Sequence, residues 1–214
     1  MPLFAVPIWA HQLEHDDAAH LNAHLLDQVA VLKSQLPGTV QPGQGWQTRT
    51  DLHKLEPFAG MFEIINMASR QVLDMLKVAP TPFEITGCWM NIKPRGSGHV
   101  LHGHPNNYLS GVYYVKAPKG ADSIVFHDFR MNRQVIEPRY TEPTALTSSR
   151  AQVPVKTGVM IMFPSWLPHS VEPNPTQEER VSLSFNIIFS NFAETQATPH
   201  WDWAAEELAQ PVRR

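Results

Sequence analysis

Three histidines fall within six residues at the head of the stretch His99 to Val115 (HVLHGHPNNYLSGVYYV), and a fourth imidazole, His169, stands far downstream. Neutral imidazole is the commonest protein ligand for a transition metal. His102 and His104 are two residues apart, a spacing that puts both side chains on one face of a β-strand. His99 has the opposite parity and is expected to stand aside. Two ligands from one strand and a third, His169, from a distant strand would make a facial set with open positions. Non-haem Fe(II) oxygenases need that arrangement, because O2 and a cosubstrate must both reach the metal.

An H-x-H pair alone would more simply be polar residues of a surface loop beside Pro105. The downstream context argues otherwise. Arg180 follows His169 by eleven positions and opens the strand RVSLSFN. Arg180, Ser182 and Ser184 share one face of it, while Val181, Leu183 and Phe185 share the other. A guanidinium beside a hydroxyl is a carboxylate receptor, through bidentate charge-assisted hydrogen bonds. Other polar or reactive residues read more plainly. His20 and His24 are four apart on a helix pattern, with His15 just before, and are expected to be solvated. Cys88 lies in an apolar run and is expected to be a small core residue.

The elements that must position these residues change character along the chain. Residues 3–9 (LFAVPIW) read as an opening strand. Asp16 or Asp17 can cap a helix running to about Leu36, with Ala18, Leu21, Leu25, Val29 and Leu32 at helical spacing. Gly38–Thr50 is loop-like. A second helix is expected from about Pro57 to Val78, carrying Phe58, Met61, Phe62, Ile65, Val72, Leu73 and Leu76. From Phe83 on the pattern is that of strands: FEITGCWMNIK, the histidine stretch, LSGVYYVKA, SIVFHDF, VPVKTG with VMIMF, HSVEP and RVSLSFNIIF. Residues 130–152 are polar and irregular. Many of the 19 prolines stand between these apolar runs, which favours short strands over a helix bundle. Six or more short strands suggest a double-sheet jelly roll. HWDWAAEELAQ could form a short terminal helix.

The motifs now on the page resemble the Fe(II)/2-oxoglutarate-dependent oxygenase superfamily, whose marker is H-x-D/E, a distal His and an Arg-x-Ser shortly after it. The matching residues are His102-Gly103-His104, His169 and Arg180-Val181-Ser182. More narrowly, H-G-H-P, L-S-G-V-Y-Y-V, F-P-S-W-L-x-H-x-V-x-P-N and E-R-x-S-x-S-F-N look like a bacterial and phage group of 2-oxoglutarate oxygenases. The resemblance covers about residues 86–192. It implies a mainly β fold with α, a double-stranded β-helix (jelly roll, cupin-like) packed by N-terminal helices. It also implies a single domain over 1–214, with a helical support region at 1–85, a catalytic core at 86–192 and a tail at 193–214.

For function the resemblance implies Fe(II), 2-oxoglutarate and O2, with hydroxylation of an unknown substrate and decarboxylation of 2-oxoglutarate to succinate. His102, His104 and His169 would hold the metal. Arg180, Ser182 and Tyr114, with Tyr113 as the fallback, would hold the cosubstrate. The chain departs from the family at His104, where the general pattern has a carboxylate. Asp128, in FHDFR, is the alternative third ligand, with His127 beside it as a further donor. Trp89, Asn91, Asn106, Asn107 and Trp166 are candidates for the substrate side.

Composition sets outer bounds. The net charge is −3 and no Lys/Arg cluster precedes the terminal Arg213-Arg214, so no nucleic-acid partner is evident. One cysteine allows no internal disulfide, and a reducing, cytoplasmic setting is expected. The N-terminal stretch lacks the features of a signal peptide and no apolar run is long enough to cross a membrane. The partner is a small-molecule or protein substrate, and a homodimer is expected on general grounds. Two other readings stay open. One is a cupin-like three-histidine iron dioxygenase that does not use 2-oxoglutarate, in which Arg180 binds the substrate's own carboxylate. The other is a non-catalytic metal-binding jelly-roll module, with His99 or His127 closing a four-ligand site.

Overall fold

Alternation along the strands sorts the side chains into two cores, and the two cores define the architecture. The computed structural model describes residues 5–35, 44–130, 138–142, 144 and 147–190. Its strands, numbered along the chain, form two antiparallel sheets. The larger has the order β1 (Trp9–Gln12), β8 (Val159–Pro164), β5 (Leu109–Lys116), β10 (Arg180–Phe189), β3 (Phe83–Lys93) and β2 (Trp46–Gln47). The smaller has the order β4 (His99–His102), β9 (His169–Val171), β6 (Ser123–His127) and β7 (Arg150–Pro154).

The first core joins one face of the larger sheet to two helices, α1 (His15–Ser34) and α2 (Ala59–Met75). Leu25 and Val29 of α1 and Met61, Ile65 and Val72 of α2 pack with Met90, Tyr113, Met160, Leu183 and Phe185. The second core lies between the sheets and holds Tyr114, Ile161 and Phe163 from the larger with Ile124 and Phe126 from the smaller. Tyr113 and Tyr114 thus face opposite ways, as do Met160 and Ile161, because side chains alternate along a strand. The central strands are buried on both faces, which is why their sequences read as continuous apolar runs. Gly111 stands opposite Phe185 in the β5–β10 pairing, and the Phe185 ring fills the place a β-carbon would take.

Both helices bury the stripe that their spacing predicts. In α1 it is Ala18, Asn22, Leu25 and Val29, and in α2 Met61, Ile65, Ala68 and Val72. The jelly roll with helical backing agrees with the expected fold class. Several boundaries differ: the first helix already starts at His15 with Glu14 at its N-cap position, so neither Asp16 nor Asp17 caps it. Residues 3 and 4 of the expected opening strand lie outside the described residues; residues 5–8 are not strand and β1 starts at Trp9, since Pro7 has no N–H to offer a neighbour while residues 9–12 pair with Met162 to Val159. The second helix starts at Ala59, after two short 3-10 turns at Leu52–Lys54 and Glu56–Phe58. It stops at Met75 because Lys77 takes φ 57° and the Val78 N–H turns back to the Leu73 carbonyl at 3.0 Å, a glycine-type helix end made without glycine. The expected helix in the tail lies outside the described residues. Among the described residues, no helix is long and apolar enough to cross a membrane.

Candidate metal centre

Pairing between β4 and β9 creates the site. His102 closes β4, His169 opens β9, and the two are partners across the ladder. His104 lies two residues past the strand end, where its backbone N–H donates to the Ser165 carbonyl at 2.9 Å and ties its turn to the segment leading to His169. The ring centroids are 4.3 Å apart for His102 and His169, 5.0 Å for His102 and His104, and 5.2 Å for His104 and His169. One ligating nitrogen from each lies within 4.8 Å of the others. Just upstream, a β-carbon on Gly98 would lie 2.6 Å from the Val171 carbonyl oxygen, so only glycine lets the chain enter β4 this close to β9.

Second contacts set the form of the imidazoles. His102 Nδ1 lies 2.8 Å from the Val100 carbonyl and His169 Nδ1 lies 3.0 Å from the Leu167 carbonyl. A carbonyl only accepts, so each Nδ1 carries the proton and each Nε2 lone pair is left for a metal. Burial, with neighbouring imidazoles adding to it, pushes His104 and His169 down to about 4. They are therefore neutral at neutral pH, the form that ligates.

His99 behaves differently from its parity. The register slips between His99 and His102, so three steps on β4 match two on β9, from Val171 to His169. A β-bulge of this kind turns residues i and i+3 to the same face. The His99 ring consequently stacks on His102 with centroids 4.5 Å apart and lines the same pocket. Burial likewise pushes it to about 4. It is not one of the three nitrogens that converge.

The facing wall belongs to the larger sheet. Arg180 is 4% exposed, its Nη1 donates to the Ser123 carbonyl at 2.8 Å, and its guanidinium carbon lies 5.2 Å from the Tyr114 ring centroid. Ser182 pairs with Tyr114 on one side and Asn91 on the other. The Tyr114 hydroxyl is fully buried. Burial pushes it up to about 12, against the pull of Arg180, so it is a neutral donor. The Arg180 guanidinium is close enough to pull on that hydroxyl but makes no hydrogen bond of good geometry with it, and among the described residues the Asn91 Oδ1 and Trp89 Nε1 atoms likewise have no partner. Buried polar atoms are nearly always partnered, so three orphans on one pocket wall mark where a polar ligand belongs. None of the described residues lining the pocket is acidic. The donor set, the buried hydroxyl and a guanidinium that meets no carboxylate among the described lining residues fit an iron ion chelated by an anionic cosubstrate.

Several sequence expectations need correction. Tyr113, the fallback, faces α1 and donates its hydroxyl hydrogen bond to Asn22 Oδ1 at 2.8 Å, on the far side of the sheet from the pocket. Asp128 follows the end of β6 and is neither in the pocket lining nor among the converging ligand atoms; its carboxylate accepts from Arg130 Nε at 2.8 Å. His127 bonds the Ser170 hydroxyl at 2.9 Å instead of completing a shell. Asn107 bonds within the turn that Asn106 enters at φ 61°, so both shape the backbone after His104. Trp166 is 52% exposed and packs its ring on Phe129, 4.6 Å between centroids. Trp89 and Asn91 do line the pocket, and so does Lys93, which the sequence reading passed over. Lys93 shares the parity of Trp89 and Asn91 on β3, the signal that would have found it. Cys88 is buried in the helix-side core, and burial pushes its thiol far up. His20 and His24 are exposed, and His24 bonds the Pro57 carbonyl.

Residues 87–186 match the family model described as "Putative 2OG-Fe(II) oxygenase". A search of curated proteins gives no match. The fold resembles that of the non-heme alpha ketoglutarate dependent epimerase SnoN from nogalamycin biosynthesis, with TM-score 0.61 and 15% identity, over 86% of this chain and 77% of that one. It resembles a Pseudomonas putida prolyl-4-hydroxylase with TM-score 0.58 and 16% identity, over 85% and 92% of the two chains. HygX from Streptomyces hygroscopicus, whose crystal structure holds nickel and 2-oxoglutarate, gives TM-score 0.58 and 13% identity over 86% and 83%.

Proposed function

We propose that this chain, whose core matches the 2OG-Fe(II) oxygenase family over residues 87–186, is an Fe(II)- and 2-oxoglutarate-dependent oxygenase that hydroxylates a substrate still to be identified. The observation that carries the reading is the pairing of two half-sites across one pocket. Three imidazoles converge on the smaller sheet, and a buried arginine faces them from the larger across a pocket whose described lining holds no carboxylate.

In this reading His102, His104 and His169 hold the iron through Nε2 of the first and last, already freed by their Nδ1 bonds. Arg180 takes the distal carboxylate of 2-oxoglutarate, and Ser182 and the Tyr114 hydroxyl donate to it. When bound, iron with 2-oxoglutarate and O2 supplies the oxidising power, with release of succinate and CO2. The protein's own work is positioning and the exclusion of water. Phe163, Val112, Ile124 and Val171 are among the apolar residues of the lining, which strengthens each charge contact inside it. Three neutral ligands leave the metal's charge uncompensated by the protein, so an anionic cosubstrate is favoured there.

The test is an anaerobic titration of the metal-free protein with Fe(II) and then 2-oxoglutarate, following the weak visible charge-transfer band of the chelate. A band that is lost in His169→Ala and weakened in Arg180→Ala is the expected result. Tight iron binding with no band at any 2-oxoglutarate concentration would sink the reading. It would favour instead the three-histidine dioxygenase, which His104 in the carboxylate position keeps in play and in which Arg180 binds the substrate's own carboxylate.

A further inference from the structure

Lys93 ends β3 and is the ladder partner of Arg180, the first residue of β10. Both side chains line the metal pocket. The ion pairs of the described residues lie elsewhere, at Arg49–Asp51, Lys116–Glu178, Arg130–Asp128 and Arg150–Glu172. Two cations therefore stand side by side at one end of a pocket with no acidic residue among its described lining, and of the two the Asp122 carboxylate acts on Arg180 alone, from outside that lining. Arg180 spends one donor on the neutral Ser123 carbonyl, which balances no charge. Like charges on neighbouring strands oppose one another unless an anion lies between them. Burial and the Arg180 charge both pull the Lys93 ammonium down, in keeping with that crowding.

Position along the strands says which anion. On β3 the pocket-facing order is Trp89, Asn91, Lys93, and on β10 it is Ser184, Ser182, Arg180. Trp89 lies against His104, 6.0 Å between ring centroids, so that end is the metal end. Lys93 lies at the other end, beyond Asn91 and Ser182, with the arginine. We propose that Lys93 is a second cationic arm of the 2-oxoglutarate receptor, so that the distal carboxylate sits between Lys93 and Arg180. The proposal rests on the reading of Arg180 given above and makes Lys93 a specificity-determining residue for a dicarboxylate.

Calorimetric titration of the Mn(II)-loaded protein tests it, with two probes: 2-oxoglutarate, and 2-oxobutyrate, which has the same oxo-acid head and no distal carboxylate. Lys93→Met should weaken 2-oxoglutarate about tenfold, the scale of a charge-assisted hydrogen bond. It should leave 2-oxobutyrate unchanged and flatten the salt dependence of 2-oxoglutarate binding. Lys93→Arg should keep most of the affinity and guards against a merely structural loss. If Lys93→Met binds 2-oxoglutarate as tightly as wild type while Arg180→Met does not, the proposal fails and the oxygenase reading stands. Equal weakening of both acids overturns it as well, since a second arm acts only on the distal carboxylate. A wild-type protein that does not prefer 2-oxoglutarate to 2-oxobutyrate overturns both.

Discussion

Neighbouring residues here carry opposite assignments, and single substitutions separate them. Tyr113→Phe removes a buried hydrogen bond to Asn22 and should cost about 1 kcal/mol of stability while leaving 2-oxoglutarate affinity intact. Tyr114→Phe removes a hydroxyl that has no well-formed hydrogen bond among the described residues and should do the reverse, weakening 2-oxoglutarate with little change in stability; paired denaturation and binding curves on the two variants decide it. The histidines give a pH prediction. His99, His104 and His169 sit near 4 against 6.5 for a free imidazole. Between those values the unfolded chain binds protons that the folded one refuses. Stability of the metal-free protein is therefore full above about 6.5 and is lost as pH falls toward 4. Urea midpoints measured above and within that window should drop accordingly, and a flat profile would contradict the burial of these rings. The three converging histidines and Arg180 were legible as residue types at fixed spacing. The choice between Tyr113 and Tyr114 needed the sheet's facing, which a run buried on both sides does not reveal.

Elements decide where those residues point. The strands after Phe83 were legible because prolines and glycines bound each apolar run. The bulge in β4 was not, because it exists only relative to the register of β9, some seventy residues away in the chain. His99 was misplaced for that reason. Two glycines make the geometry fragile. Gly111→Ala drives a methyl into the fully buried Phe185 ring and should cost about 1–3 kcal/mol, as overpacking does. Gly98→Ala pushes β4 off the Val171 carbonyl and should weaken metal binding more than it lowers the melting temperature, because it displaces the strand that carries His102. A loss of stability with metal affinity untouched would count against that account. On α2, Ile65→Ala should cost about 2–5 kcal/mol, read from a urea midpoint, since Ile65 is fully buried against the sheet.

At the scale of the whole molecule, the matched stretch 87–186 omits both helices, yet the helix-side face of the larger sheet is as apolar as any core. A chain starting at Phe83 should therefore aggregate, while the full chain stays dispersed in the same sedimentation run. The sandwich also divides its labour. The three converging histidines stand on or beside the smaller sheet, and Lys93, Tyr114, Arg180 and Ser182 stand on the larger. Arg180 already reaches across to Ser123. A cosubstrate gripping both walls would act as a rivet through the sandwich. Amide hydrogen exchange should report this as two separate steps. Metal alone slows β4 and β9, and only the added cosubstrate slows β3 and β10. On the proposed function, the molecule would be mechanically one piece when loaded for a turnover and two loosely coupled leaves between turnovers, and the opening of the seam would set how quickly spent succinate leaves.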